Sequence, residues 1–185
     1  MKYVDNDINF ENKDQFLEHI IDKYYGEVLM FIIKSVRDSA DAEDLAQETF
    51  FSFYDSLDRF RYEASIKNYI YRIAVNKIIN HENKKKREKN KIISFFTSRK
   101  NMEIHGKNDL SNSLEKKELR DIIKISLDKF PPKQRVILSM RLFRDLKIRE
   151  IAEIIQTSEG NVKAQLSTGL KKIQEALKEY GYGLQ

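Results

Sequence analysis

Apolar side chains recur at steps of three and four residues along most of this chain, the spacing that gathers them on one side of an α-helix. From about Lys13 to Val36, the positions Phe16, Leu17, Ile20, Ile21, Tyr24, Val28, Leu29, Ile32, Ile33 and Val36 form one stripe, with Asn12 placed to cap its start. Gly26 falls inside it and marks a candidate break between two helices. A second stretch, from about Ser39 to Asp58, turns Ala42, Leu45, Ala46, Phe50, Phe53 and Leu57 inward. Its first turn holds Asp41, Glu43 and Asp44, where the helix dipole favours carboxylates. A third, from about Ser65 to Lys86, turns Ile66, Ile70, Ile73, Ala74, Ile78 and His81 inward. It leaves Lys67, Tyr71, Arg72, Lys77 and Asn80 for solvent or a ligand.

The periodicity fails between about Glu82 and Asn112. That segment opens with the basic run KKKREKNK at 84–91 and reads as a tether. Its apolar patch, Ile92, Ile93, Phe95 and Phe96, suits either packing back on a domain or binding a partner. The helical pattern then resumes with Leu119, Ile122, Ile123, Ser126, Leu127 and Phe130. Pro131 stops that helix and Pro132 starts the next, whose stripe is Val136, Ile137, Met140 and Phe143. The pattern predicts an all-α protein of two small helical domains, 1–82 and 113–185, joined by a flexible basic linker, 83–112.

Composition agrees with helices: there are six glycines and two prolines in 185 residues. The absence of cysteine excludes disulfides and thiolate metal sites. No apolar run is long enough for a membrane span, and the first ten residues lack a signal-peptide core, so the expected location is cytoplasmic. A formal net charge of +5 hints weakly at an anionic partner.

The segment 146–170, LKIREIAEIIQTSEGNVKAQLSTGL, carries the sharpest local signal. Ile148, Ile151, Ala152 and Ile155 mark a short helix. A turn follows at 156–158, and a last helix, from about Glu159 to Glu179, buries Val162 and Leu166. Small Ala152 permits a close crossing, and Ser158 caps the last helix. This is a helix-turn-helix, whose second helix enters the major groove by its first turns. Glu159, Asn161, Lys163, Ala164, Gln165 and Ser167 are the candidate base readers. Arg141, Arg144, Lys147 and Arg149 are candidate phosphate contacts, and Lys171 extends the basic side of the last helix. The bland alternative is a helical hairpin without a ligand.

Read together, the two halves resemble a known family. DAEDLAQETF (41–50) followed by ASIKNYIYRIAVNKIIN (64–80) looks like the second region of bacterial RNA polymerase sigma factors, and 130–166 resembles their fourth. Their order, and the lack of other regions, is similar to the extracytoplasmic-function (ECF) type. The resemblance implies that the helix holding Asp41, Asp44, Leu45, Gln47, Glu48 and Phe51 docks on the clamp helices of the largest subunit of core polymerase. It implies that Arg61, Tyr69, Arg72, Asn76, Lys77 and Asn80 serve the melted −10 element. The helix-turn-helix, with Arg149, Ser158, Glu159, Asn161, Lys163, Ala164, Gln165, Ser167 and Lys171, would then serve the −35 element. Core polymerase (clamp helices and flap region), promoter DNA and an anti-sigma protein are the partners so implied, without membrane insertion. The chain departs from the family pattern at Tyr69, where Trp is usual, at Asn80, where Asp is frequent, and at Gln156, where Gly is usual. Basic residues usual near Gln165, Thr168 and Leu170 are absent.

Taken alone, each feature has a plainer reading. The acidic face at 41–48 is ordinarily a solvated surface, Tyr62, Tyr69 and Tyr71 ordinarily pack, and 84–91 ordinarily only attracts nucleic acid without specificity. His19, His81 and His105 form no metal-like pair, and no phosphate-cradling glycine loop or nucleophile elbow is present. No catalytic residue, metal or cofactor is expected, and the chain reads as a non-enzyme. The alternative is a helix-turn-helix regulator acting without core polymerase, which would have no use for the acidic docking face.

Overall fold

The computed structural model describes residues 3–5, 8–60, 65–96 and 114–182. Seven α-helices make up the described fold, with a short hairpin before them. In the hairpin, β1 (Tyr3–Asp5) pairs antiparallel with β2 (Ile8–Phe10), Tyr3 opposite Phe10.

Helix α1 (Lys13–Ser35) begins where Asn12 accepts a hydrogen bond from the Asp14 backbone N–H at 2.7 Å. It does not break at Gly26. That glycine lies on the exposed side with nothing near its missing Cβ, so its only cost is helix propensity, about 1 kcal/mol. A 3-10 turn at Ser39–Asp41 leads into α2 (Ala42–Ser56), and a second, Leu57–Arg59, ends it. The expected inward residues of α2 are all buried, joined by Thr49, whose hydroxyl donates to the Leu45 carbonyl at 2.6 Å.

Helix α3 (Ile66–Phe96) outruns its expected end near Lys86 and continues through the lysine run. The run has no apolar stripe, so periodicity is silent there. Lys, Arg and Glu are nonetheless good helix formers, and no Gly or Pro interrupts them. Much of the expected tether, 97–113, lies outside the described residues, as do the side chains of Ile92, Ile93, Phe95 and Phe96.

The second half comprises α4 (Leu114–Asp128), α5 (Pro132–Arg144), α6 (Ile148–Ile155) and α7 (Glu159–Glu179). Ser158 caps α7, accepting from the Asn161 backbone N–H at 3.2 Å. Among the described residues two that are not glycine adopt left-handed backbone, Asp145 (φ 47°) after α5 and Gln156 (φ 56°) after α6. Gln156 is the position where the family pattern has glycine, and the backbone shows why.

Helices α1, α2 and α3 pack around Phe16, Ile20, Phe31, Phe53 and Ile70, and α4 to α7 around Val136, Ile137, Leu138, Ile151 and Val162, and these buried residues join in one continuous apolar cluster. The two do not stand apart. Helix α5 packs on α1 and α3, α6 packs on α3, and six consecutive residues, Arg135–Met140, are buried because α5 is covered on both sides.

Candidate nucleic-acid interface

The acidic side of α2 faces out. Asp44, Gln47 and Glu48 are exposed, and Phe51 is 70% exposed while Phe50 and Phe53 on the same helix are buried. Two residues placed with them by resemblance sit differently. Leu45 is 4% exposed and packs in the core of the first half, so it cannot touch a partner without unpacking. Asp41 is half-buried at the start of α2, hydrogen-bonded to Lys85 and, at 3.1 Å, to Nε2 of His81. The Lys85 hydrogen bond, with help from His81, outweighs partial burial and holds the Asp41 carboxyl below its ordinary value of 3.8. Asp41 thus ties α2 to α3.

Helix α3 lies against α2 and presents the second set. Tyr69 is half-buried, its ring 4.7 Å from that of Phe60 and 6.2 Å from that of Phe53. Asn76 and Asn80 are exposed. Lys77 is half-buried and pairs with Glu48 at 3.2 Å, joining the two expected surfaces by one ion pair. Arg72 is half-buried, with its Nε shielded from solvent. Tyr71, which the pattern left for solvent or a ligand, is 1% exposed. It packs 5.2 Å from Phe31 and under the Arg144 guanidinium at 5.6 Å, and burial pushes its hydroxyl up to about 12. Arg61 lies outside the described residues.

The helix-turn-helix stands as its sequence reads. Ala152 is buried at the crossing of α6 and α7, and the Thr157 N–H donates to its carbonyl at 3.0 Å. Along α7, Ser158, Glu159, Asn161, Lys163, Ala164, Ser167 and Lys171 are exposed and Gln165 is half-buried, while Val162 and Leu166 point inward. Asn161 also donates to the Thr157 hydroxyl at 2.8 Å. A residue with no signal in the pattern, Gln134, spans from α5 to α7. Its side-chain amide donates to the Gln165 carbonyl at 3.1 Å and to the Thr168 hydroxyl at 3.2 Å.

The phosphate candidates are partly committed elsewhere. Arg141 pairs with Asp145 at 2.8 Å and Arg149 with Glu153 at 3.1 Å, both on the surface. Arg144 pairs with Glu27 of α1 and faces the first half. Lys147 is exposed at the start of α6. Among the described residues no group of three or more His, Cys, Asp or Glu could hold a metal ion, and no helix is long and apolar enough to cross a membrane.

Comparison with known proteins places both halves. Residues 20–88 match the model for Sigma-70 region 2 and residues 123–173 that for Sigma-70, region 4. The RNA polymerase sigma-H factor of Pseudomonas aeruginosa is 29% identical over 160 residues, covering 84% of this chain and 82% of the relative. The RNA polymerase sigma factor SigV of Bacillus subtilis is 30% identical over 139 residues, covering 74% and 75%. Among solved structures, the sigma factor RpoE bound to the anti-sigma factor NepR, from Bartonella quintana, shares the fold at 21% identity. Its TM-score is 0.65 over 90% of this chain and 98% of that one. With both regions present in order on the helices just described, the chain belongs to the sigma-70 family as a sigma factor of the extracytoplasmic-function type, a subunit that directs RNA polymerase to promoters.

Proposed function

We propose that this sigma factor docks on core polymerase through α2, holds the melted −10 strand on α3 and reads the −35 element with α7. The observation that carries the reading is Phe51, the phenylalanine that α2 leaves exposed, ringed by Asp44, Gln47 and Glu48. A protruding aromatic within an acidic rim suits a basic helical partner: the rim steers and the ring anchors. A regulator that works without polymerase gains nothing from it.

Opening DNA costs about 1.4 kcal/mol of stacking per base-pair step. Stacking an extruded base on an aromatic returns about 1–3 kcal/mol. Tyr69, braced by Phe53 and Phe60, supplies such a surface, and Asn76 and Asn80 supply amides for base edges. Lys77 becomes available to the backbone if polymerase takes Glu48 from it. The exposed start of α7 offers Asn161, Lys163 and Gln165 to the major groove. None of these steps asks the chain for covalent chemistry, so the factor acts as a non-enzymatic subunit in the cytoplasm, beside polymerase. The flap region is the polymerase site suited to the second half. A relative's structure with an anti-sigma factor suggests that class of inhibitor.

Run-off transcription with purified core polymerase on a library of promoter fragments tests the proposal. Specific transcripts should appear only when this chain is added, and the upstream sequences should reveal two elements. Sequence-dependent duplex binding with no transcripts would instead favour the independent regulator.

A further inference from the structure

Helix α7 is seated by apolar contact. Val162, Leu166, Gly169 and Ile173 turn inward, and Gly169 lies against Leu138 of α5 with no side chain of its own. Apolar contact is non-directional, so it holds a helix in place without fixing its roll about its own axis. Roll matters to a helix that reads. A helix is about 10–12 Å across with its side chains, so a roll of about 20° carries their tips about 2 Å. A hydrogen bond to a base edge does not survive that displacement.

One side chain supplies direction. Gln134, half-buried near the start of α5, aims its amide nitrogen at α7. One N–H meets the Gln165 carbonyl at 3.1 Å and the other the Thr168 hydroxyl at 3.2 Å. A backbone carbonyl only accepts, so it is the nitrogen end of the amide that faces α7. The Thr168 hydroxyl in turn donates to the Ala164 carbonyl at 2.9 Å. The bonds therefore run one way, from Gln134 to Thr168 to Ala164, and both amide protons of Gln134 are used. A threonine hydroxyl bonded back to the carbonyl four residues earlier also bends a helix locally.

The turn held in this way, 164–168, carries Gln165 and, beside it, the candidate readers Ala164 and Ser167. Gln165 is the most directly held, because its own carbonyl is the acceptor. Its side chain is half-buried, while those of Ala164 and Ser167 are exposed.

We infer that Gln134 is a positioning residue for duplex reading: through the Gln165 carbonyl and the Thr168 hydroxyl it fixes the roll of the middle of α7, and so sets which base pair the Gln165 side chain reads and how sharply. The inference rests on the duplex-reading role proposed for α7. Its structural part, the bonding of the Gln134 amide, can be measured without DNA.

Gln134→Met keeps the length of the side chain and removes both donors. Thr168→Val keeps the shape of threonine and removes the hydroxyl, and Thr168→Ser keeps the hydroxyl. In the full chain, the side-chain amide resonances of Gln134 should lie away from those of a solvated glutamine. They should move far more in Thr168→Val than in Thr168→Ser. Solvated values in the wild type would overturn the inference at once.

The functional arm is run-off transcription by the full chain with core polymerase, on promoters whose upstream element is randomised. Gln134→Met should flatten the preference at one or two adjacent base pairs by about three- to tenfold, less than loss of a whole bidentate contact can cost. They should be the same base pairs that Gln165→Ala flattens, with the preference in the downstream element unchanged. Added to Gln165→Ala, Gln134→Met should flatten nothing further, because it acts through that side chain. Thr168→Val should reproduce the effect in weaker form, and Thr168→Ser should stay near the wild type. A loss spread evenly over all positions would mark a merely structural role and overturn the inference. Additive losses in the double variant, or a preference that Gln134→Met leaves intact, would do the same. If core polymerase yields no specific transcript while the chain alone selects duplexes by sequence, the sigma-factor reading falls, and the same comparison on the selected duplexes decides the role of Gln134. No sequence preference in either assay would overturn it together with the reading role of α7.

Discussion

Gln156 and Asp41 show how single residues set local terms of stability. Gln156 holds φ 56°, a conformation that costs a residue with a Cβ about 1–2 kcal/mol and glycine nothing. Gln156→Gly forfeits about 0.5–1 kcal/mol of that gain through the freer unfolded chain. Net stabilisation near 0.5 kcal/mol is expected, read as a slightly higher denaturation midpoint with unchanged slope. Asp41 makes a pH prediction. Its carboxyl is depressed in the fold chiefly by Lys85, so its contribution to stability is present above the unfolded value of 3.8. That contribution is lost as pH falls through the lower folded value. In urea titrations the wild type should exceed Asp41→Asn by a steady margin around pH 5, and the margin should shrink as pH drops below about 4.

At the scale of the element, helices pack where small residues allow and dock where large ones protrude. A Cβ on Gly169 of α7 would sit 2.7 Å from both terminal methyl carbons of Leu138 on α5. Gly169→Ala should therefore cost about 1–3 kcal/mol of overpacking, visible as a lower thermal midpoint of the second half. Phe51 is the opposite case. Phe51→Ala should leave the thermal midpoint unchanged, since the ring is mostly in solvent, and should weaken core-polymerase binding about tenfold or more, measured by competition for core. Most elements were legible in the sequence: α6 and α7 begin and end where the stripe and the Ser158 cap place them. Others were not. The extension of α3 lies in a charged run whose helix propensity leaves no periodic trace. Tyr71 was misplaced because a single helical stripe does not show where a second domain will cover the flank, whereas Leu45 lies inward as its stripe placed it and stood among docking residues by resemblance alone. Arg135 and Glu82 gave no sign of their pairing, because two opposite charges 53 residues apart look like any solvated pair until the fold brings them together.

Across the whole molecule, the same helices serve two assemblies. Helix α5 packs its own half through Leu138 and closes the seam between the halves through Ser139 and through Arg135, which donates to the Glu82 carboxylate at 2.6 Å. Helix α3 packs the first half through Ile70, Ala74 and Ile78, and carries both the seam glutamate and the residues proposed to hold DNA. Removing one partner of the Arg135–Glu82 pair leaves a buried charge unpaired, a situation that costs about 3–5 kcal/mol in proteins where it persists.

The unbroken course of α3 also sets a length. At about 1.5 Å per residue the helix is a rod of roughly 46 Å, and it ends at Phe96, well beyond the bundle it stabilises. Only residues 97–113 lie between that end and the start of α4. However they run, they can span no more than about 60 Å when fully drawn out. On duplex DNA rising about 3.4 Å per base pair, that is a leash of some 18 base pairs between the tip of the rod and the first turn of the reading domain. On the proposed reading, this leash added to the reach of the two halves sets an upper limit on how far apart two promoter elements can lie. A promoter beyond that limit would have to bend toward the protein or fray the end of α3.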